Sequence, residues 1–217
     1  MNSEKKKVRS LYQDEIKNFT KDDFESNKVN LHIHTTFSDG KADAFDIIRQ
    51  AKEKNYKKIA ICDHNTFEAH KKIQDDILIP AVEFDVWCGD VFLHLLAYGI
   101  DVNNKELQTF CAKNKKETEL DIIRIFAKRD IKKLIQAIHN AGGIAVLAHP
   151  ACCWAISLDR FVKKLISYGL DGIEVYYPYK RHRGIIKFHT AHAVEKIADK
   201  YKLIKTGGTD LHGEELE

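Results

Sequence analysis

Histidine and carboxylate side chains recur in the sequence where predicted β-strands end. Imidazole and carboxylate groups are the ligands that zinc, manganese and iron take in proteins. His32 and His34 stand two positions apart on one predicted strand, so both side chains face the same side and can reach one cation. Six histidines and three carboxylates are too many ligands for one ion, which predicts a cluster of cations with a shared carboxylate: His32, His34, Asp39, His64, Glu83, His94, His149, Asp210 and His212.

The prediction depends on the joint placement of these residues, because each short motif is weak by itself. An isolated His-x-His pair, an Asp-His pair or a His-Pro pair occurs often without a functional role. His70, His139, His189 and His192 lie in predicted helices, where a solvated or core histidine is expected. The nine residues differ from these because they follow successive strands.

Apolar periodicity predicts seven strands separated by helices. The predicted strands cover residues 29–33, 58–62, 77–84, 91–100, 144–148, 172–176 and 203–206, and helices are predicted at 44–54, 158–168 and 185–201. Asp43 is a suitable N-cap for the first of these helices. The pattern indicates a mainly parallel α/β fold, and a barrel would bring the strand ends together around one mouth.

The size and composition of the chain favour one catalytic domain. Its 217 residues, 44% of them hydrophobic, can bury one sizeable core. We expect a polar N-terminal extension at 1–27 and a catalytic domain at 28–217, with a helical insertion at about 103–140. The net charge of +3 is too small for a dedicated duplex DNA-binding protein.

The expected location is the cytoplasm. The Lys-rich N-terminus has no apolar stretch behind it that would predict a signal peptide or membrane span. The five cysteines lack CxxC spacing, which favours reduced thiols. The sequence contains no signal for an oligomeric state.

The basic run at 180–183 follows a predicted strand. It has two interpretations, a solvated loop or a contact with a substrate phosphate through Arg181, His182 and Arg183.

Six motifs resemble, in order and spacing, those of the PHP (polymerase and histidinol phosphatase) domain family. They read LHIHT at 31–35, SDG at 38–40, CDHNT at 62–66, IPAVE at 79–83, AHP at 148–150 and GTDLHG at 208–213. The resemblance implies a distorted (β/α)7 barrel, here with a short helical insertion.

The same resemblance implies three divalent ions, Mn²⁺, Fe²⁺ or Zn²⁺. It places His32, His34, Glu83 and Asp210 at the first metal, Glu83, His94 and His149 at the second, and Asp39, His64 and His212 at the third. Glu83 would bridge two ions. A hydroxide generated by the metals would then attack a phosphorus atom.

The resemblance favours a phosphoric ester hydrolase for a 3′,5′-nucleoside bisphosphate or a short single-stranded oligonucleotide. Three alternatives stay open: a phosphatase for another small metabolite such as histidinol phosphate, a metal-stabilised accessory module of the DNA polymerase type, and hydrolysis at a carbonyl carbon. Two departures from the family pattern bear on substrate. The insertion is short, and Ala151, Cys152, Cys153 and Trp154 follow His149-Pro150, where many members carry an arginine. Trp154 could stack on a base or pack within the fold.

Overall fold

Seven strands carry the predicted ligands. The computed structural model describes residues 12–126, 128–178 and 188–217. The strands are β1 (Val29–Ile33), β2 (Lys58–Ile61), β3 (Ala81–Cys88), β4 (Val91–Tyr98), β5 (Ile144–Leu147), β6 (Gly172–Tyr176) and β7 (Ile204–Gly207).

Helices connect most of these strands. Residues 12–18 are helical (α1). The other helices are α2 (Lys21–Glu25), α3 (Ala44–Glu53), α4 (Glu68–Lys72), α5 (Lys105–Gln108), α6 (Lys116–Glu119), α7 (Asp121–Arg124), α8 (Ile131–Asn140), α9 (Leu158–Ile166) and α10 (Ala191–Tyr201), with a short 3₁₀ helix at Pro150–Cys152. Helices α5–α8 lie in the segment predicted as the insertion, whose role as a distinct insertion stays a prediction.

The strands form two sheets rather than one continuous barrel. β1 and β2 pair in parallel, and β3 to β7 form a five-stranded sheet in chain order. Single bridges join the two sheets, one between His64 and Glu83 and one between Ile33 and Leu211. The mixed α/β fold and the seven strands are confirmed, whereas a closed (β/α)7 ladder is not found in the part of the chain that the structure describes.

Strand direction differs from the mainly parallel prediction in one region. β4 runs antiparallel to both β3 and β5. The reason is the tight turn at Gly89, which has a φ of +65° and joins β3 directly to β4 without a helix.

The predicted third strand begins later than expected. Residues 77–79 pair with β2 through an isolated bridge between Ile59 and Leu78, and the regular strand starts at Ala81.

The apolar residues of these elements support the strand ends. Leu31, Ala60, Leu96 and Val146, from four different strands, share one buried cluster. On the outside of β1 and β2, helix α3 buries Ala44, Ile47, Ile48 and Ala51, and the Asp43 side chain caps it by accepting from the Phe45 backbone N–H at 2.8 Å, as predicted. The strands that carry the predicted ligands are therefore held from both sides.

Candidate metal centre

Glu83 lies at the centre of the predicted ligands. Its carboxylate is completely buried. Five imidazole rings approach its two oxygens at 3.2–3.4 Å, those of His32, His34, His64, His94 and His149. This geometry fits the sequence prediction that Glu83 is shared between cations.

Asp210 completes one possible metal-binding group. Its Oδ1 lies 3.3 Å from Nε2 of His32 and 3.1 Å from Nε2 of His34. These three side chains and Glu83 each offer a ligand atom within 4.8 Å of the others. The group is the one that the family resemblance implies for a first ion.

Asp39 organises a second group. Its Oδ1 lies 3.5 Å from Nδ1 of His34 and 3.3 Å from Nε2 of His212, and its Oδ2 lies 3.7 Å from Nε2 of His64. His34 therefore faces both groups, one through each ring nitrogen. The family resemblance implies a third ion held by Asp39, His64 and His212, without His34.

A third group forms around the other side of Glu83. His64, Glu83 and His94 are close enough to hold an ion. His149 reaches the same carboxylate, with Nε2 3.4 Å from Oε1. All nine predicted residues thus lie in one continuous cluster, and their assignment to individual ions stays a prediction.

Buried atoms without hydrogen bonds support cation binding here. Among the described residues, both oxygens of Glu83, both ring nitrogens of His34 and Nε2 of His32 are buried without a hydrogen-bond partner. Leaving such atoms unsatisfied is costly. Metal bonds of about 2.0–2.2 Å place neighbouring ligand atoms about 3.0–3.5 Å apart, which matches most of the distances above. The donor set therefore fits divalent cations.

Asp63 positions the loop that follows β1. It accepts hydrogen bonds from the Thr35 backbone N–H at 2.7 Å, the Thr35 hydroxyl at 2.8 Å and the Ser38 hydroxyl at 2.7 Å. This buried carboxylate thus supports the ligands on that loop.

Two glycines allow the chain to approach the ligands closely. A Cβ on Gly40 would lie 2.4 Å from the His34 carbonyl group, and one on Gly208 would lie 2.4 Å from the His32 backbone nitrogen. His149 and Asp210 themselves take positive φ angles of 27° and 50°, which L-residues rarely adopt. The backbone is therefore tightly packed where the predicted ligand side chains come together.

Asp85 was missed by the sequence prediction. Its Oδ1 is buried, lies 3.4 Å from Nδ1 of His64 and 3.2 Å from Nε2 of His94, and makes no hydrogen bond. A carboxylate against one ring nitrogen fixes the tautomer and leaves the other nitrogen for a metal. Asp85 follows Glu83 by two positions on β3, so their shared face was a signal in the sequence.

Glu174 orients two predicted ligands from the end of β6. Its Oε1 accepts from Nδ1 of His32 at 2.9 Å, and its Oε2 accepts from the His149 backbone N–H at 2.8 Å. The sequence placed Glu174 at a strand end but not among the site residues. Tyr177 acts similarly on Asp210, donating its hydroxyl to Oδ2 at 2.9 Å.

Arg124 brings a buried positive charge from α7. Its guanidinium donates to Asp39 Oδ2 at 2.8 Å and to the Thr118 carbonyl at 3.1 Å, and Nε lies 3.8 Å from Asp85 Oδ2. Arg124 was not among the predicted site residues, and a basic residue of a helical insertion would be expected on a solvated helix face. Arg124 is instead only 5% exposed.

Charge interactions shift the pKa values of the imidazole and carboxylate groups in the cluster. Burial opposes protonation of His34, but the adjacent Asp210 and Glu83 carboxylates outweigh it and raise the pKa of His34 to about 10. Burial disfavours the charged form of Glu83, yet the imidazoles of His32, His94 and His64 hold its pKa well below the usual range. The adjacent carboxylates raise the pKa values of His32, His34 and His94 despite the burial of these three rings.

Two histidines outside the cluster, His70 and His139, have structural partners. His70 is buried, and its Nε2 lies 2.7 Å from the Ile61 carbonyl oxygen and 3.1 Å from the Ala81 backbone nitrogen. His139 pairs with Asp171 at 2.8 Å. Arg181, His182 and Arg183 lie outside the described residues, so their predicted contact with phosphate stays a prediction.

A mixed α/β fold thus gathers six imidazoles and a central carboxylate at its strand ends, a donor set that can hold divalent cations. The chain belongs to the PHP domain family, whose model matches residues 30–203. Family membership and the donor cluster together make it a metal-dependent phosphoesterase.

Two sequence relatives illustrate the similarity. An uncharacterised protein of Methanocaldococcus jannaschii is 28% identical over 177 residues, which cover 71% of this chain and 84% of the relative. Phosphoribosyl 1,2-cyclic phosphate 1,2-diphosphodiesterase of Eggerthella lenta is 32% identical over 92 residues, covering 39% of this chain and 29% of that enzyme.

Solved structures share the fold. A proposed metal-dependent phosphoesterase of Bifidobacterium adolescentis superposes with a TM-score of 0.67 at 20% identity, over 86% of this chain and 88% of its own. An amidohydrolase of Chromobacterium violaceum with bound sulfate has a TM-score of 0.68 at 17% identity and the same coverage. Within the described residues, no helix is both long and apolar enough to cross a membrane.

Proposed function

We propose that the chain hydrolyses a nucleotide-type phosphate ester, a 3′,5′-nucleoside bisphosphate or a short oligonucleotide, with three divalent cations held by the nine-residue cluster. The observation that carries the proposal is the buried Glu83 carboxylate among five imidazoles, which has no hydrogen-bond partner in the described part of the chain. Such a site is far better suited to cations than to an apolar or neutral ligand.

The protein's own residues would hold and orient the reacting groups. Glu174, Asp85 and the Asp210 carbonyl each face one ring nitrogen of a histidine, the last accepting from Nδ1 of His212 at 3.0 Å. These contacts would direct the opposite nitrogens into the cluster.

Charge compensation supports an anionic substrate. Divalent cations, when bound, supply Lewis acidity and lower the pKa of a coordinated water so that hydroxide is available near neutral pH. Arg124 already neutralises Asp39, so the bound cations would meet a phosphoryl group with less opposing negative charge.

The substrate class draws support from the relatives. The matched enzyme of Eggerthella lenta is named a cyclic phosphate diphosphodiesterase, which supports a phosphate ester as the reacting group. The nucleotide part rests on the family resemblance of the motifs. Mn²⁺, Fe²⁺ and Zn²⁺ all suit imidazole and carboxylate ligands.

The test is phosphate release by metal-analysed protein. We would offer 3′-phosphoadenosine 5′-phosphate, adenosine 5′-monophosphate, a short oligonucleotide and histidinol phosphate side by side, and assay cleavage of the oligonucleotide separately. Release from the bisphosphate or cleavage of the oligonucleotide, lost in His34→Ala, is the expected result.

The alternatives give different outcomes. Release from histidinol phosphate alone would indicate another metabolite phosphatase. No turnover of any ester by protein with its cations bound would overturn the proposal and favour an accessory module or a carbonyl substrate, which amide substrates would then separate.

A further inference from the structure

Both tryptophans of the chain line one cavity beside the histidine cluster. Trp87 lies on β3 and Trp154 follows the 3₁₀ helix, and the sequence contains no other tryptophan. The cavity has a volume of about 370 Å³, within the range of about 300–1,000 Å³ for small-molecule sites. Phe92 and Ile125 complete its apolar wall, and His94 and His149 form the side shared with the candidate metal centre.

A row of aromatic rings leads from the cavity to Glu83. The ring centroids of Trp87 and Phe92 lie 5.3 Å apart, and Phe92 meets His94 edge-on at 5.4 Å. His94 then meets His149 edge-on at 5.0 Å, and both imidazoles contact Glu83. The cavity and the metal centre are therefore adjoining parts of one site.

The two tryptophans differ in how firmly they are held. The indole N–H of Trp87 donates to the Ile125 carbonyl at 2.6 Å, which ties this wall to the residues after α7. Trp154 is 72% exposed, and its ring lies 5.3 Å from that of Phe188. A large indole left open to solvent at the edge of a cavity offers a flat apolar surface to a ligand.

The charges of the cavity restrict what can enter it. Asp90 is the one carboxylate in its lining, and no lysine or arginine belongs to that lining within the described ranges. An anionic phosphate would therefore be placed on the metal side, and a neutral flat group between the aromatic walls.

We propose that this cavity binds an aromatic ring of the substrate while its ester phosphate lies at the metal centre. The proposal rests on the proposed phosphoesterase activity and specifies the substrate as a phosphate ester with a flat, uncharged ring. The ring belongs either to a nucleobase or to an aryl group joined directly to the phosphate, since both present the same surface to Trp154.

The first test compares three esters with the metal-loaded protein: adenosine 5′-monophosphate, phenyl phosphate and ribose 5-phosphate. We expect a higher kcat/KM for at least one aromatic ester. Trp154→Ala should raise KM for that ester at least about fivefold, the lower range for loss of one stacked ring, with ribose 5-phosphate unchanged. Trp154→Phe should restore most of the loss, and Phe45→Ala, at an exposed aromatic residue on α3, is the matched control.

The two aromatic esters distinguish the sources of the ring. Preference for the adenosine ester indicates a nucleobase, and preference for phenyl phosphate indicates an aryl group. Equal efficiency with ribose 5-phosphate, or a ring preference that survives Trp154→Ala, overturns the proposal.

A binding measurement separates this inference from the activity. Adenosine, which carries no phosphate, should change the tryptophan fluorescence of the metal-loaded protein, whereas ribose should not. In Trp154→Ala, Trp87 remains as the reporter, and adenosine should bind at least about fivefold more weakly. Adenosine binding without ester hydrolysis would keep the cavity and reject the activity, whereas hydrolysis without a fluorescence response would reject the cavity.

Discussion

At the scale of single residues, Glu83 is the central residue of the cluster. Its two oxygens lie against five imidazoles and have no hydrogen-bond partner among residues 12–126, 128–178 and 188–217. The Glu83 side chain therefore belongs to more than one of the candidate ion positions.

The Glu83→Ala variant should lose both bound metal and turnover, because the Glu83 carboxylate is predicted to bind two ions. We expect a fall in kcat/KM of at least about 100-fold, with fewer ions per chain by elemental analysis. Glu25→Ala, at an exposed residue on α2, is the control. Full metal occupancy with an unchanged rate in the Glu83 variant would contradict the bridging role.

Cation binding should release protons. The pKa of His34 is raised to about 10 in the metal-free protein, so this ring is protonated at pH 7 and must lose a proton before it can coordinate. The affinity for cations should therefore fall as the pH is lowered. Calorimetric titration in buffers of different ionisation enthalpy measures the release, and a binding enthalpy independent of buffer would argue against it.

Asp85→Asn tests the carboxylate that the sequence prediction missed. The amide keeps the shape but removes the charge that faces His64 and His94. We expect cation affinity to fall about 10- to 100-fold, the usual effect of losing such a partner. Asp46→Asn on the exposed face of α3 should leave the affinity unchanged, and equal affinities in the two variants would reject the orienting role.

At the scale of elements, the loop after β1 and the turn after β7 bring the ligands together. Asp63 holds the first loop through Thr35 and Ser38, and Gly40 and Gly208 permit contact with the backbone of the ligand strand. The positions of the predicted ligands therefore depend on short segments without regular secondary structure.

Gly40→Ala should disturb this loop, because its Cβ would lie 2.4 Å from the His34 carbonyl group. We expect a loss of about 1–3 kcal/mol in the free energy of unfolding and reduced metal content, measured by urea unfolding and elemental analysis. Gly213→Ala is a close control, because its Cβ would meet only Leu211 Cδ1 at 3.6 Å. Equal stability of both variants would show that the loop accommodates the added methyl group.

The local apolar pattern was sufficient to predict the seven strands. Motif spacing identified nine residues that the structure brings into one cluster, and their role as metal ligands stays a prediction. Asp85 could have been included from its position on the Glu83 face of β3. Arg124 could not, since its contact with Asp39 joins residues 85 positions apart and depends on how α7 docks. The antiparallel direction of β4 could be predicted only in part, from the tight turn that precedes this strand.

At the scale of the whole molecule, the cations should contribute to stability. The metal-free protein buries several carboxylates and imidazoles together, and a ligand that binds only the folded state stabilises it. Removal of the ions with a chelator should lower the melting temperature by about 5–10 °C, and adding Mn²⁺ or Zn²⁺ back should restore it. An unchanged melting temperature after verified metal removal would contradict a structural contribution.

The bridge between Ile33 and Leu211 has a consequence for synthesis on the ribosome. During synthesis, β1 cannot form this bridge until residue 211 has left the ribosome, because the bridge joins residues 33 and 211. A nascent chain that ends after β6 already contains Glu83, His94 and His149 but lacks Asp210 and His212. A nascent chain of that length therefore lacks two of the nine predicted ligands, and the complete cluster can form only after residue 212 has been synthesised.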